Sequence, residues 1–264
     1  MIPDDLRGAV EALVAHDRVL VATDFDGVMA PLVLDPSTSK PLPGTVEDLR
    51  RLAAMPDTYA AVVSGRDLAT LTELTGLADS DVTRIGSHGG ESSAADQQAP
   101  ELTEPQQEHL RRLVSELEEL CSALPDGVYL ESKPAAVVLH TRRMAEADAK
   151  AAEEAALELA ARHTHLSVLH GKQVVEMSVV EADKGSALEA LRDAVGAQGV
   201  AYLGDDVTDE HAFECLAADD LTVKVGQGDT AARFRVDGPE DAAEVLALVA
   251  ELRATSTETA TGES

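Results

Sequence analysis

A chain of 264 residues with 21 Lys and Arg against 49 Asp and Glu carries a formal net charge of −28, which repels phosphate backbones and anionic lipid and so excludes nucleic acid and membrane as expected partners. Aromatic residues are 2% of the sequence, with three Phe, three Tyr and no Trp, too few for recognition by stacking. The two cysteines, Cys121 and Cys215, cannot build a disulfide framework or a cysteine-based zinc site; the reading is two small core residues of a cytoplasmic protein, expected to be a monomer, with no basic-then-apolar leader at its start.

In chain order, residues 18–23 (RVLVAT) form a short apolar run rich in β-branched residues and predict a strand. Val46, Leu49, Leu52 and Ala53 fall at helical spacing and predict a helix over 44–55. A strand at 59–63, a helix at 67–74 and a strand at 82–85 continue the alternation expected of a parallel sheet with crossover helices. The same grammar returns after residue 184, with helix 185–195, strand 200–203, helix 209–216, strand 221–225 and a last helix over 239–252. Between the flanks lies a long helix bearing Leu110, Leu113, Val114, Leu117, Leu120, Cys121 and Leu124 on one stripe, then strands at 127–133 and 135–142. An alanine-rich helix over 144–163 and strands at 166–169 and 172–178 follow. The fold class predicted is α/β: a Rossmann-like parallel-sheet core of residues 1–94 and 180–252, an inserted α+β (αββαββ) domain over 95–179, and a polar tail, 253–264, expected to be disordered.

Strand alternation places Tyr129, Glu131 and Lys133 on one face of the insert with His140, Arg142, Lys172 and Glu176. The opposite face carries Val128, Leu130, Val137, Leu139, Val175 and Met177, which suits the two amphipathic helices and leaves the polar face free. Charges on a strand are commonly just solvated, but this array also suits a hydroxyl-rich ligand.

The chemistry-bearing residues stand where the core strands end. Asp24-Phe25-Asp26-Gly27-Val28 follows the first strand, at the edge of a parallel sheet where ligand sites form; Val28 and Met29 stand where an EF-hand loop needs an acid and Gly. Ser64-Gly65-Arg66 sits at the next junction and Gly86-Ser87-His88-Gly89-Gly90 after the third strand. Lys184 opens a helix, and Gly204-Asp205-Asp206-Val207-Thr208-Asp209-Glu210 crowds four carboxylates together, a repulsive set that a hard cation such as Mg²⁺ would relieve. Gly226-Gln227-Gly228-Asp229-Thr230-Ala231 matches G-x-G-x-x-A loosely, but no second half-fold with a ribose-binding acid follows it.

Acid pair, Ser, Lys and acidic cluster in that order resemble the haloacid-dehalogenase-like phosphatase superfamily. With DFDGV, SGR, SHGGE, GKQVVEMSVVEADKG, GDDVTDEHAFE and VGQGDTAARFRV, the chain is similar to trehalose-6-phosphate phosphatases over nearly all its length; Val28 departs from the Thr usual there. The resemblance implies Asp24 as nucleophile and Asp26 as general acid and base. It implies Mg²⁺ on Asp24, the Asp26 carbonyl and Asp205, with Asp206 and Asp209 in direct or outer support. Ser64 and Lys184 would hold phosphoryl oxygens, with Arg66 and His88 also binding substrate. Glu131, Lys133, Arg142, Lys172 and Glu176 would bind sugar hydroxyls from an inserted cap. The implied partner is a small-molecule sugar phosphate and the implied reaction its Mg²⁺-dependent hydrolysis, with trehalose 6-phosphate as substrate. Alternatives are another phosphorylated disaccharide or pseudo-disaccharide, a catalytically silent sugar-phosphate binding protein, or a dinucleotide enzyme resting on Gly226, Gly228 and Ala231.

Overall fold

Residues 19–23 are buried at every position, as a strand covered by helices on both faces must be. In the computed structural model of the chain, described for residues 2–94, 102–171, 173–180 and 183–262, this strand (β1, Val19–Thr23) is the centre of a seven-stranded sheet. It pairs in parallel with Thr58–Val63 (β2) on one side and Gly199–Gly204 (β9) on the other. Beyond β2 lie Thr83–Gly86 (β3) and the two-residue Glu91–Ser92 (β4), the one antiparallel member. Beyond β9 lie Leu221–Val225 (β10) and Phe234–Val236 (β11). The strand order therefore reverses between β1 and β9, which opens a crevice at their carboxyl ends.

Period-2 alternation divides the core. Val19 and Val21 join one apolar cluster with the helices Asp4–Val14 (α1), Thr45–Ala53 (α2) and Pro239–Gly262 (α8), while Leu20 and Ala22 join another with Lys184–Val195 (α6) and Val207–Cys215 (α7). Leu68–Thr75 (α3) completes the core helices, its Asp67 cap accepting from the Thr70 amide and its end turned by Gly76 in the left-handed region. Val28 is fully buried in the first cluster, so the aliphatic side chain at this position is core packing.

Contacts divide the chain into two compact units, Met1–Ala99 with Asp183–Ser264, and Pro100–Ala182. The second holds Glu104–Ser122 (α4), Tyr129–Ser132 (β5), Ala136–His140 (β6), Glu146–Ala160 (α5), Ser167–Gly171 (β7) and Val174–Ser178 (β8), with an antiparallel sheet in the order β5-β6-β8-β7. Leu113, Leu117, Ala156 and Leu159 of its helices pack on Val137, Leu139, Val175 and Met177, so the apolar face is the one the alternation predicts.

Several features differ from the sequence reading. Ahead of residue 18, Leu6, Val10, Leu13 and Val14 form a buried helical stripe that lies outside the elements predicted above. The expected disordered tail is helical through Gly262 among the described residues; Thr255, Ser256 and Thr257 direct their hydroxyls back to the carbonyls of Glu251, Leu252 and Arg253. Arg253 is buried and spends all its donors on chain carbonyls and a hydroxyl, reaching Val14 O, His16 O, Asp17 O, Asp57 O and Thr58 Oγ1. Cys121 is half-buried but Cys215 is exposed, so only the first packs in a core. No helix of the described residues is long and apolar enough to cross a membrane.

Candidate active site

The loop after β1 turns tightly: Gly27 N donates to Ala30 O at 2.7 Å and Ala30 N to Phe25 O at 2.9 Å. Gly27 has φ +77°, and a Cβ there would lie 2.0 Å from Asp205 Oδ2. Only glycine supplies both the left-handed backbone and the room, and it thereby lets the Asp205 carboxylate, on the turn after β9, lie against the Asp24 loop. Asp24 is buried; its Oδ1 accepts from Phe25 N at 2.6 Å and its Oδ2 from Lys184 Nζ at 2.7 Å. Lys184, on the first turn of α6 behind the Asp183 cap, also donates to Asp209 Oδ1 at 2.7 Å.

Asp209 has every lone-pair direction taken. Oδ1 accepts from Lys184 and from Tyr202 Oη at 2.6 Å, and Oδ2 from the amides of Asp205 and Asp206 at 2.8 and 2.9 Å. A carboxylate offers about four such positions. Tyr202 is not among the predicted site residues; its sequence signal is the one hydroxyl in the apolar run VAYLG. Asp206 stands apart from the buried acids as an exposed N-cap of α7, its Oδ1 accepting from Val207 N.

Charge follows geometry. Burial, the largest influence, pushes Asp24 well above the ordinary carboxylate range against the pull of Lys184. Burial and then the Asp209 charge push Asp205 up to about 7. Burial also works against the Lys184 ammonium, but Asp24 and Asp209 outweigh it and hold its pKa above the usual lysine range. At Asp209 burial is overcome by Lys184, Tyr202 and the Asp206 amide, which keep its pKa low. Three acids with oxygens within 4.8 Å of one another, Asp24, Asp205 and Asp209, thus face one ammonium, and the excess of negative charge is what a divalent cation would neutralise. The donor set is all hard oxygen, which fits Mg²⁺ rather than a thiophilic metal.

Asp26 is held differently. Arg66 grips it with both arms, Nε to Oδ2 at 2.6 Å and a terminal nitrogen to Oδ1 at 2.7 Å, and Ser39 Oγ adds a bond at 3.2 Å. Arg66, read from sequence as a substrate ligand, is here a partner of the second acid. Ser64 is buried at the end of β2, its Oγ accepting from Arg66 N. His88, with φ +54°, lies over Gly65, where a Cβ would meet its Nε2 at 2.5 Å. Glu91 of the same segment accepts from Leu68 N and Ser87 Oγ, a tie between loop and helix.

A model of the trehalose-phosphatase family matches residues 22–240. The chain belongs to that family. It is 35% identical over 263 residues to a trehalose-phosphate phosphatase of Mycobacterium bovis BCG, covering 92% of this chain and 64% of that protein. It is 34% identical over 266 residues to one from Mycobacterium avium, covering 93% and 65%. The chain thus spans less than two thirds of these relatives' length. A crystal structure described as a trehalose-6-phosphate phosphatase related protein superposes with TM-score 0.72 at 26% identity, over 89% of this chain and 99% of the other. The C-terminal domain of Candida albicans trehalose-6-phosphate phosphatase shares the fold, with TM-score 0.73 at 22% identity over 93% and 95%.

The loop 226–231 does not lead into a helix, as a dinucleotide-binding turn would. β11 follows it rather than a helix whose N-terminus could hold a pyrophosphate, and Arg235 fills its carbonyl side by donating to Gly226 O and Gly228 O.

In the inserted unit, Tyr129 is cross-strand from His140 and Glu131 from Val138, which is opposite Glu176, so these residues share a face as the alternation predicts. Glu131 Oε2 lies 2.8 Å from His140 Nε2, Lys133 Nζ donates to Glu176 Oε2 at 2.8 Å, and Tyr129 stacks on His140 with centroids 4.4 Å apart. Arg142 departs from the reading: β6 ends at His140, and Arg142 is exposed in the turn beyond. Lys172 lies outside the described residues.

Proposed function

We propose that the chain hydrolyses trehalose 6-phosphate to trehalose and phosphate, the last step of trehalose biosynthesis, in the cytoplasm, where its two free thiols would stay reduced. The observation that carries the reading is Asp24 fixed by Lys184 and Phe25 N at the mouth of the β1–β9 crevice, in a chain of the trehalose-phosphatase family.

Asp24 would attack phosphorus in line, forming a carboxylate O–P bond as the P–O bond to the sugar breaks, and Asp26 would give its proton to the leaving sugar oxygen. Water then attacks phosphorus with Asp26 taking the proton, freeing phosphate and Asp24. The Arg66 grip suits the ionised Asp26 of the second step, so proton donation in the first requires Arg66 to let go, and an incoming phosphoryl dianion is the competitor that would draw it away. Ser64 and Lys184 would bind phosphoryl oxygens. Asp24, Asp205 and the Asp26 carbonyl would hold Mg²⁺, and we assign Asp209, whose lone pairs are filled by protein donors, to holding Lys184 and the 205–206 amides in place. The metal supplies charge neutralisation where a carboxylate must approach a phosphoryl dianion.

Excess EDTA should therefore abolish phosphate release, and Mg²⁺ should restore it where Zn²⁺ does so poorly. Because a proton on Asp205 competes with the metal, Mg²⁺ affinity should rise as pH increases through about 7. Full activity in EDTA would rule out the metal.

The inserted unit, which we take to be a substrate-specificity cap, would read the sugar through Glu131, Lys133 and Glu176, and Arg142 and Lys172 are proposed as further ligands of the sugar. Glu131→Ala should lower kcat/KM for trehalose 6-phosphate about tenfold, the scale of one charged hydrogen bond, with far less effect on p-nitrophenyl phosphate. Equal losses on both substrates in a variant that melts normally would refute a role in sugar recognition.

A further inference from the structure

An ion pair between the buried Lys224 of β10 and the half-buried Glu210 of α7 stands beside the acidic turn after β9, and the mechanism above does not use it. Lys224, in an otherwise apolar strand of sequence LTVKV and in register with Gly204, is buried. Its Nζ donates to the main-chain oxygen of Asp205 at 2.6 Å and lies 3.0 Å from Glu210 Oε1. The other Glu210 oxygen accepts from Thr230 Oγ1 at 3.0 Å and Ala231 N at 2.8 Å. A chain of contacts, with the Lys224–Glu210 ion pair as its middle link, therefore runs from Asp205 into the loop 226–231, two of whose carbonyls accept from Arg235.

Burying a lysine to pair it with a half-buried glutamate seldom adds net stability over apolar side chains of similar volume, and a strand of this kind would accept an apolar residue at 224. What the pair does here is local. An ammonium bond to a carbonyl is strong and directional, and it fixes the peptide that follows Asp205. The nitrogen of that same peptide donates to Asp209 Oδ2 at 2.9 Å, so the plane is pinned on both edges. The Asp205 side chain springs from the pinned backbone and lies against Gly27. A cation has strict demands on ligand direction when it is as small as Mg²⁺, and a pinned backbone meets them without cost at the moment of binding.

We infer that Lys224, braced by Glu210, is a positioning residue that aims the Asp205 carboxylate at the metal. The inference rests on the Mg²⁺ reading of the site. Its test is calorimetric titration of the full chain with Mg²⁺ alone, beside thermal melts. Lys224→Met should weaken Mg²⁺ binding about tenfold or more, the usual scale for residues that orient metal ligands, and Lys224→Arg should recover part of the loss. The value of kcat at saturating Mg²⁺ should fall less than the affinity does. Glu210→Gln keeps acceptors for Thr230 and Ala231 while removing the charged brace, and should shift affinity the same way by a smaller factor. Wild-type protein that takes up no Mg²⁺ would overturn the metal reading and this inference together. Wild-type protein that binds Mg²⁺ beside a folded Lys224→Met variant with unchanged Kd would overturn this inference alone. Should Lys224→Met fail to fold, an unchanged Kd in Glu210→Gln overturns it equally.

Discussion

Asp24→Asn should lower kcat by at least about a thousandfold while leaving fold and substrate binding largely in place, because it deletes the attacking oxygen and keeps the side chain's shape. The amide oxygen can still accept one of the two bonds that fix Asp24, from Phe25 N or from Lys184 Nζ. Steady-state phosphate release, with substrate binding by calorimetry, separates the outcomes: residual turnover near wild type would exclude an aspartyl-phosphate on this residue. Loss of binding in step with turnover would instead mark Asp24 as a structural group.

Lys184→Met should be as damaging to turnover and should also destabilise the chain. Lys184 is the cation between Asp24 and Asp209, each at 2.7 Å, and both acids are buried. Removing it leaves buried carboxylates to repel each other, a cost of about 3 kcal/mol or more, which in a protein of this size lowers Tm by roughly 10 °C. Measured in EDTA the effect should be largest, and added Mg²⁺ should return part of it. A Tm unchanged from wild type would mean that the two acids are not both ionised in the native protein.

What the sequence disclosed and what it hid follow from how far each signal reaches along the chain. The buried strands β1, β2, β9 and β10 are local apolar runs, and the acids that follow β1 and β9 are legible because a parallel sheet puts strand ends on one edge. The sharing of a face by Glu131, His140 and Glu176 followed from alternation. Pairings across long separations were not legible: Arg66 with Asp26, 40 residues apart, or Lys184 with Asp24, 160 apart, need coordinates. Nor could the acidic cluster be sorted from sequence, since Asp205, Asp206 and Asp209 look alike until the amides and the tyrosine that fill Asp209 are seen. The α1 stripe is legible at helical spacing, whereas β11, three residues of sequence FRV, is too short to carry any period. The tail misled because its small hydroxyl residues, poor helix formers when free, are drawn into a helix that α8 has already begun.

The guanidinium of Arg253 has a consequence for where the molecule can be cut. It stands outside the segment 22–240 by which the family is recognised, and the carbonyls of Val14, His16 and Asp17 that it binds lie outside at the other end. Recognition and foldability therefore have different borders. A fragment trimmed to the recognisable stretch would shed α1, expose the sheet face that Leu6, Val10 and Leu13 cover, and leave Asp57 O and Thr58 Oγ1 without the donor that now serves them. The two chain ends, far apart in sequence, act as one clasp on the outer layer of the core, and the smallest autonomous piece of this unit must keep both halves of it.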